Sequence, residues 1–199
     1  MDKAKRRVQL MNAARDVFVK KGYHSATVED VVAHAKVARG TYYLYFEDKR
    51  AALEAILDRA FTRVGMAIVR VDTEDAARGM EAQARENLSR IVAVLLEDPA
   101  STRLLLSEGL AADAQVDHKL AAFYGELHSL VVETLREGQT LGAVRPGSPD
   151  VYAELVLGAL KQVLRYACVS PNVARVPAAL CDQVFSFFCV GCLSFGDAT

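Results

Sequence analysis

The chain has 199 residues, 52% of them hydrophobic, with 5 Pro and a formal net charge of -1. That length holds one ordinary domain or a small one joined to a larger one, and that composition excludes a disordered chain. The charge is unevenly divided: residues 1–50 carry eleven Lys or Arg against six Asp or Glu, and the remainder is acidic. A basic head on an acidic body fits a polyanion-binding module better than a uniformly sticky protein.

Behind Met1 the run Asp2-Lys3-Ala4-Lys5-Arg6-Arg7 is charged, so no signal peptide is expected and the protein is expected to be cytoplasmic. Lys3 to Arg7 reads as a solvated arm, with a phosphate or minor-groove contact as the alternative. Val8 to Lys21 reads as a first helix, because Leu10, Ala13, Ala14, Val17 and Phe18 recur at helical spacing and Gly22 can stop it. Thr27 is a good N-cap for a second helix, and Asp30 three residues on makes a weak capping box. Val28, Val31, Val32 and Ala35 line one face of that helix, which breaks at Lys36-Val37.

The stretch Ala38-Arg39-Gly40-Thr41-Tyr42-Tyr43-Leu44-Tyr45-Phe46 follows. On a helix Tyr42 and Phe46 share a face and suit a core, while Arg39, Gly40, Tyr43 and Leu44 point elsewhere. A face with a cation, hydroxyls, a bare glycine and no carboxylate suits phosphates and base edges. Taken alone, the stretch is equally well read as a solvated amphipathic helix. The flanks decide. Two short helices joined by a tight turn behind a longer one are the helix-turn-helix plan, whose second helix meets bases with its N-terminal residues. Those residues are Arg39, Gly40, Thr41 and Tyr43.

Thr27-Val28-Glu29-Asp30-Val31-Val32-Ala33, then Val37 to Phe46, then Asp48-Lys49, resembles the DNA-binding domain of the tetracycline-repressor (TetR) family from about Val8 to Leu57. The resemblance implies that Arg39, Gly40, Thr41, Tyr43 and Tyr45 face DNA. It also implies that Thr27 and Lys49 hold phosphates and that Tyr42 and Phe46 pack inward. One departure is Lys36, where members usually carry Gly. If that residue is left-handed, Lys costs up to about 1 kcal/mol relative to Gly, a tolerable strain.

Asp48 can cap a fourth helix with Leu53, Ile56, Leu57, Ala60, Phe61 and Val64 on one face. The expected division is a DNA-binding domain over residues 1–50 and a helical effector-binding and dimerisation domain over 51–199. The body reads as helix after helix, at about Glu74–Leu96, a short one through Leu104-Leu105-Leu106 ending at Gly109, and about Val116–Glu137. A loop punctuated by Gly138, Gly142, Pro146, Gly147 and Pro149 follows. The last two helices, about Asp150–Cys168 and Val173–Phe195, are apolar on more than one face, which predicts burial against the body and a second copy. The resemblance agrees, since family members dimerise through their last two long helices. Leu155, Gly158, Val163, Val184, Phe188 and Gly191 are the expected interface residues.

An all-α fold is therefore expected, with operator DNA, a second copy of the chain and a small effector as partners, and neither membrane nor cofactor. The apolar run Val184–Phe195 is too short for a membrane span, which needs about 20 residues. Phe61, Met66, Met80, Leu104, Phe123, Tyr124 and His128 have the composition of a small-molecule pocket, which is also that of an ordinary core. The resemblance favours the pocket. Cys168, Cys181, Cys189 and Cys192 read as small buried hydrophobes, and Cys189-x-x-Cys192 lacks the strand-helix context of a redox site. His118 and His128 stand too far apart for an evident metal pair, and no catalytic order stands out. A repressor released by its ligand is expected; the alternative is a helical-bundle enzyme or thiol redox protein, against which the basic head speaks.

Overall fold

The computed structural model describes residues 2–72, 75, 78–107, 114–170 and 177–191, and the regular elements among them are all helices. In chain order they are α1 (Lys3–Lys21), α2 (Val28–Ala35), α3 (Arg39–Tyr43), α4 (Lys49–Ala67) and α5 (Met80–Glu97), then α6 (Pro99–Leu105), α7 (Ala114–Thr140), α8 (Pro149–Val169) and α9 (Pro177–Gly191).

Two starts differ from the apolar pattern. The stretch Lys3 to Arg7, expected as a solvated arm, forms the first turns of α1. Asp2 caps it by accepting from the Ala4 N–H at 3.4 Å. Lys, Arg and Ala are strong helix formers, and turns without an apolar residue leave no stripe to read. In the other direction, α5 begins at Met80 because Gly79 has φ 62, outside the helical region. The expected stop at Gly109, residues 173–176 and 192–195 of the last helix, and Cys192 lie outside the described residues.

The chain forms two compact units. One contains Met1–Arg63 and Asp98–Leu120, the other Val64–Glu97 and Ala121–Thr199. In the first, α1 packs on α2 and α6, and α2 packs on α3. Leu10, Ala14, Phe18, Val31, Tyr42, Leu53, Ile56 and Leu57 are fully buried. Asp98 ties three helices together. Its Oδ1 accepts from the Ser101 N–H at 3.1 Å and so caps α6. Its Oδ2 accepts from the Ser101 hydroxyl at 2.7 Å, from Arg15 of α1 at 3.0 Å and from Arg59 of α4 at 3.2 Å. Burial pushes the Asp98 carboxyl up, but Ser101 and Arg15 outweigh it and hold the group below the usual carboxylate range.

In the second unit α5 packs against α8 and α9. Val132, Leu135, Val144 and Ala153 form a small core where the α7–α8 loop turns back, with Val131 and Tyr152 against it. The segment after α4 is fastened along α5 by side-chain amides. Gln83 accepts from the Asp72 N–H at 2.8 Å and donates to the Asp72 carbonyl at 2.9 Å. Asn87 does the same at Val69, and Arg90 donates to the Ala67 carbonyl. Residues 83, 87 and 90 recur at one face of a helix, so a helix side stands in for a neighbouring strand.

Candidate nucleic-acid interface

The head is set from its turns outward. Thr27 and Asp30 complete a capping box: Thr27 Oγ1 accepts from the Asp30 N–H at 3.2 Å, and Asp30 Oδ2 accepts from the Thr27 N–H at 3.1 Å. Lys21 pairs with the other Asp30 oxygen at 2.5 Å, and it is the largest influence holding that carboxyl low, ahead of Thr27. At the far end of α2, Lys36 is left-handed (φ 54, ψ 49), and the Val37 N–H closes on the Val32 carbonyl at 3.0 Å. The turn thus has the backbone for which glycine is suited, carried by lysine.

That turn delivers α3 with its two sides sorted. Tyr42 and Phe46 are buried, their ring centroids 5.7 Å apart. The Tyr42 hydroxyl donates to the Asp48 carbonyl at 2.9 Å, and burial raises its pKa. Asp48 in turn caps α4 through the Ala51 N–H at 2.7 Å. Arg39, Gly40, Tyr43 and Leu44 are exposed, and Thr41 and Tyr45 half-buried. Arg39 Nη1 stands 2.7 Å from Glu29 Oε1, and Nη2 donates to the Tyr43 hydroxyl at 3.3 Å. The Tyr43 hydroxyl and the Glu29 carboxylate both hold the guanidinium protonated. A Cβ on Gly40 would meet nothing within 4 Å, so nothing within the chain requires glycine there.

Two neighbours were not conveyed by the sequence pattern, Glu29 and Arg7. Glu29 has no periodic relation to Arg39, since they lie on different helices. Arg7 lies over the Phe46 ring at 5.2 Å, which depends on the α1 turn that the pattern missed. Leu44 is 75% exposed and extends the face past Tyr43. Lys49, expected at a phosphate, has its ammonium on the carbonyls of Tyr23, His24 and Ala26 at 2.8, 3.0 and 3.0 Å, over the Tyr23 ring at 4.6 Å. An ammonium has three hydrogens, so these bonds account for all of them. The α1–α2 connection is held by this lysine.

The residues suggested for an effector divide between the units. Phe61 and Leu104 belong to the first, half-buried and buried respectively; Met66, Met80, Phe123, Tyr124 and His128 belong to the second. Met66 is 80% exposed and so lies on the surface rather than lining a cavity wall of its unit. Tyr124 is half-buried, with its pKa pushed up to about 12 by burial, and Lys161 lies over its ring at 5.5 Å. His128 Nε2 is 3.6 Å from Glu154 Oε1. Among the described residues no cluster of three or more His, Cys, Asp or Glu could hold a metal, and no helix is long and apolar enough to cross a membrane.

On α8, Leu155 is 63% exposed, Gly158 is exposed and Val163 is half-buried. Val151, Tyr166 and Val169 are exposed too, and with Leu155, Gly158 and the polar Gln162 they make one stripe at steps of three and four along the helix. On α9 the expectation needs correcting. Val184 is 8% exposed and belongs to the monomer's own core beside Cys181 and Phe185, a stripe that Phe188, half-buried, continues. Phe187, 71% exposed, occupies the free flank. The surroundings of Gly191 lie outside the described residues.

Residues 10–56 match the family described as "Bacterial regulatory proteins, tetR family". The transcriptional repressor Rv1474c of Mycobacterium tuberculosis is 30% identical over 166 residues, 79% of this chain and 81% of that protein. The repressor AcnR of Corynebacterium diphtheriae is 28% identical over 180 residues, 86% and 87% of the two chains. Among solved structures, SmeT in complex with triclosan has a TM-score of 0.72 at 18% identity, over 96% of this chain and 93% of that one. SmeT is the repressor of the Stenotrophomonas maltophilia multidrug efflux pump SmeDEF. At that identity the likeness is one of fold, a helix-turn-helix head followed by a helical body.

Proposed function

Because the chain belongs to the tetR family of bacterial regulatory proteins, we propose that it is a homodimeric repressor that reads a near-palindromic operator through α3 and leaves it when a small, mostly apolar molecule binds. That it is a DNA-binding transcriptional regulator follows from the relatives matched over most of their length. The observation carrying the finer reading is the sorted α3: a locked inner side at Tyr42 and Phe46, an outer side of Arg39, Gly40, Tyr43 and Leu44. Arg39 can give two parallel bonds to guanine O6 and N7, and Gly40 lets the helix backbone come close to the groove. Thr27 stands at the N-terminus of α2, where backbone N–H groups favour a phosphate, and its hydroxyl serves the cap and the Asp30 carboxylate. Lys49 acts as a positioning residue that holds the α1–α2 connection.

A dimer would set two such helices one turn of DNA apart, roughly 34–36 Å, or a multiple of it. The exposed apolar stripe of α8 with Phe187 of α9 supports that assembly, as such stripes are costly in water and commonly meet a copy of themselves. For the effector, the half-buried Phe123, Tyr124 and His128 of α7 are the favoured contacts, and the SmeT–triclosan complex supports a small-molecule ligand. Selection of binding sites from random duplex DNA tests the function directly. The expected outcome is an inverted repeat that wild type binds and Arg39→Ala does not; enrichment of no sequence, or equal binding by Arg39→Ala, overturns it.

A further inference from the structure

We infer that Glu29 is a positioning residue for Arg39 that raises operator specificity by suppressing binding to unrelated DNA. The inference rests on the reading above, in which α3 meets bases, and adds a role for an acid on the preceding helix. Its basis is geometric. Glu29 Oε1 lies 2.7 Å from Arg39 Nη1 while the Tyr43 hydroxyl takes Nη2 at 3.3 Å, and the Arg39 guanidinium stands over the Tyr43 ring at 5.7 Å. The guanidinium is therefore gripped from two helices. Arginine has five N–H donors, so with one spent on each partner three remain for a base edge.

A carboxylate beside a DNA-reading cation has an evident cost, because it repels phosphates. Stability does not explain its presence, since both members of the pair are well exposed and such pairs contribute little to folding. Selectivity does. Against an arbitrary duplex, Arg39 offers a charge already matched by Glu29, and a phosphate must compete with that carboxylate. Against the right guanine, Arg39 offers directed donors already in place, and less ordering is needed. Glu29 thus weakens the charge-driven, sequence-independent contact more than the base-specific one.

The test uses full-length protein with wild type, Glu29→Gln, Arg39→Ala and the double variant. Affinity for the selected operator and for an unrelated duplex is measured across salt concentrations. Glu29→Gln is expected to tighten binding to the unrelated duplex by roughly fivefold at physiological salt and to steepen its salt slope by about one. The ratio of operator to unrelated affinity should fall. In the Arg39→Ala background the same substitution should leave that ratio unchanged, because the acid acts through the arginine. Equal tightening on both DNAs would overturn the inference and make Glu29 a general electrostatic brake. A changed base preference in the Arg39→Ala background would overturn it too, since Glu29 would then be reading cytosine itself. If Arg39→Ala alone binds the operator as wild type does, the base-reading role of α3 fails, which is a separate result from any response to Glu29→Gln.

Discussion

α3 turns Gly40 of its first turn, and α8 its mid-helix Gly158, to the outside with nothing of the chain within 4 Å of where a Cβ would stand. Around Gly40 the exposed neighbours are Arg39, Tyr43 and Leu44; Gly158 has Glu154, Leu155 and Gln162 within one turn and lies on the stripe that Val151, Tyr166 and Val169 continue. A helix glycine costs about 1 kcal/mol relative to alanine, and neither site recovers that from its own packing. In both places the glycine suits a partner that needs the backbone close, and the neighbours give the partner's chemistry. Donors and hydroxyls around Gly40 suit a polyanion, and the mostly apolar stripe through Gly158 suits a second such face. By contrast Gly138 is needed inside the fold, where a Cβ would come 2.6 Å from Val144.

The largest expected effect is on the hydrocarbon face. Leu155→Glu or Phe187→Glu would place a charge where an apolar partner is expected and should weaken self-association on the order of a hundredfold or more. Sedimentation should give one dimeric species for wild type and monomers for the variants, with unchanged helicity by circular dichroism. A stable wild-type monomer at micromolar concentration would mean that the α8 face meets no second copy. Next in size is Arg39→Ala, which should cost roughly ten- to a hundredfold in discrimination between operator and mismatched duplex while sedimentation stays as in wild type. A loss of dimer in that variant would mean the two faces are not independent.

The glycines themselves sharpen the contrast. Gly40→Ala and Gly158→Ala should each leave the fold intact or raise its stability by up to about 1 kcal/mol, read as a denaturant midpoint. Gly40→Ala should weaken operator binding and spare the dimer; Gly158→Ala should weaken the dimer first. If either only stabilises the protein, no close partner approaches there.

What the sequence made legible follows the same division. The inner side of α3 was readable because Tyr42 and Phe46 are four apart and lie on one helix. The capping box was readable because cap chemistry is local, whereas a left-handed Lys36 was raised only by the family resemblance, in which glycine usually stands there. The first turns of α1 were not, because Lys3 to Arg7 contain no apolar stripe and their helicity rests on propensity and the Asp2 cap. On α9 the sequence does not separate Val184 and Phe188 from Phe187, because the helix is apolar on more than one face, and packing against α5 assigns Phe187 to the outside. Glu29 with Arg39, and Lys49 with three loop carbonyls, join residues on separate elements. Periodicity within one helix carries no trace of such pairs.

The smallest effects concern pH, and they separate the carboxylate from the tyrosines by sign. In the first unit Asp98 is held below the usual carboxylate range against the effect of burial, by Ser101 and Arg15, with Arg59 also on its Oδ2. Its folded pKa is depressed, so its contribution to stability is present above the unfolded value of about 3.9 and is lost as pH falls through the folded one. In the second unit burial pushes the Tyr124 hydroxyl up to about 12. Its folded pKa is raised, so its contribution is full below the unfolded value of about 10 and is lost as pH rises through the folded one. Denaturant midpoints across pH should therefore show Asp98→Asn flattening only the acid limb and Tyr124→Phe only the alkaline limb. Tyr42, raised in the same direction as Tyr124 but in the first unit, is the control: Tyr42→Phe should also act on the alkaline side. If Asp98→Asn leaves the difference from wild type constant between pH 7 and pH 3, the carboxylate is not what holds α6 to α1 and α4. The apolar contacts of Leu104 and Leu105, both buried, would then have to account for that packing.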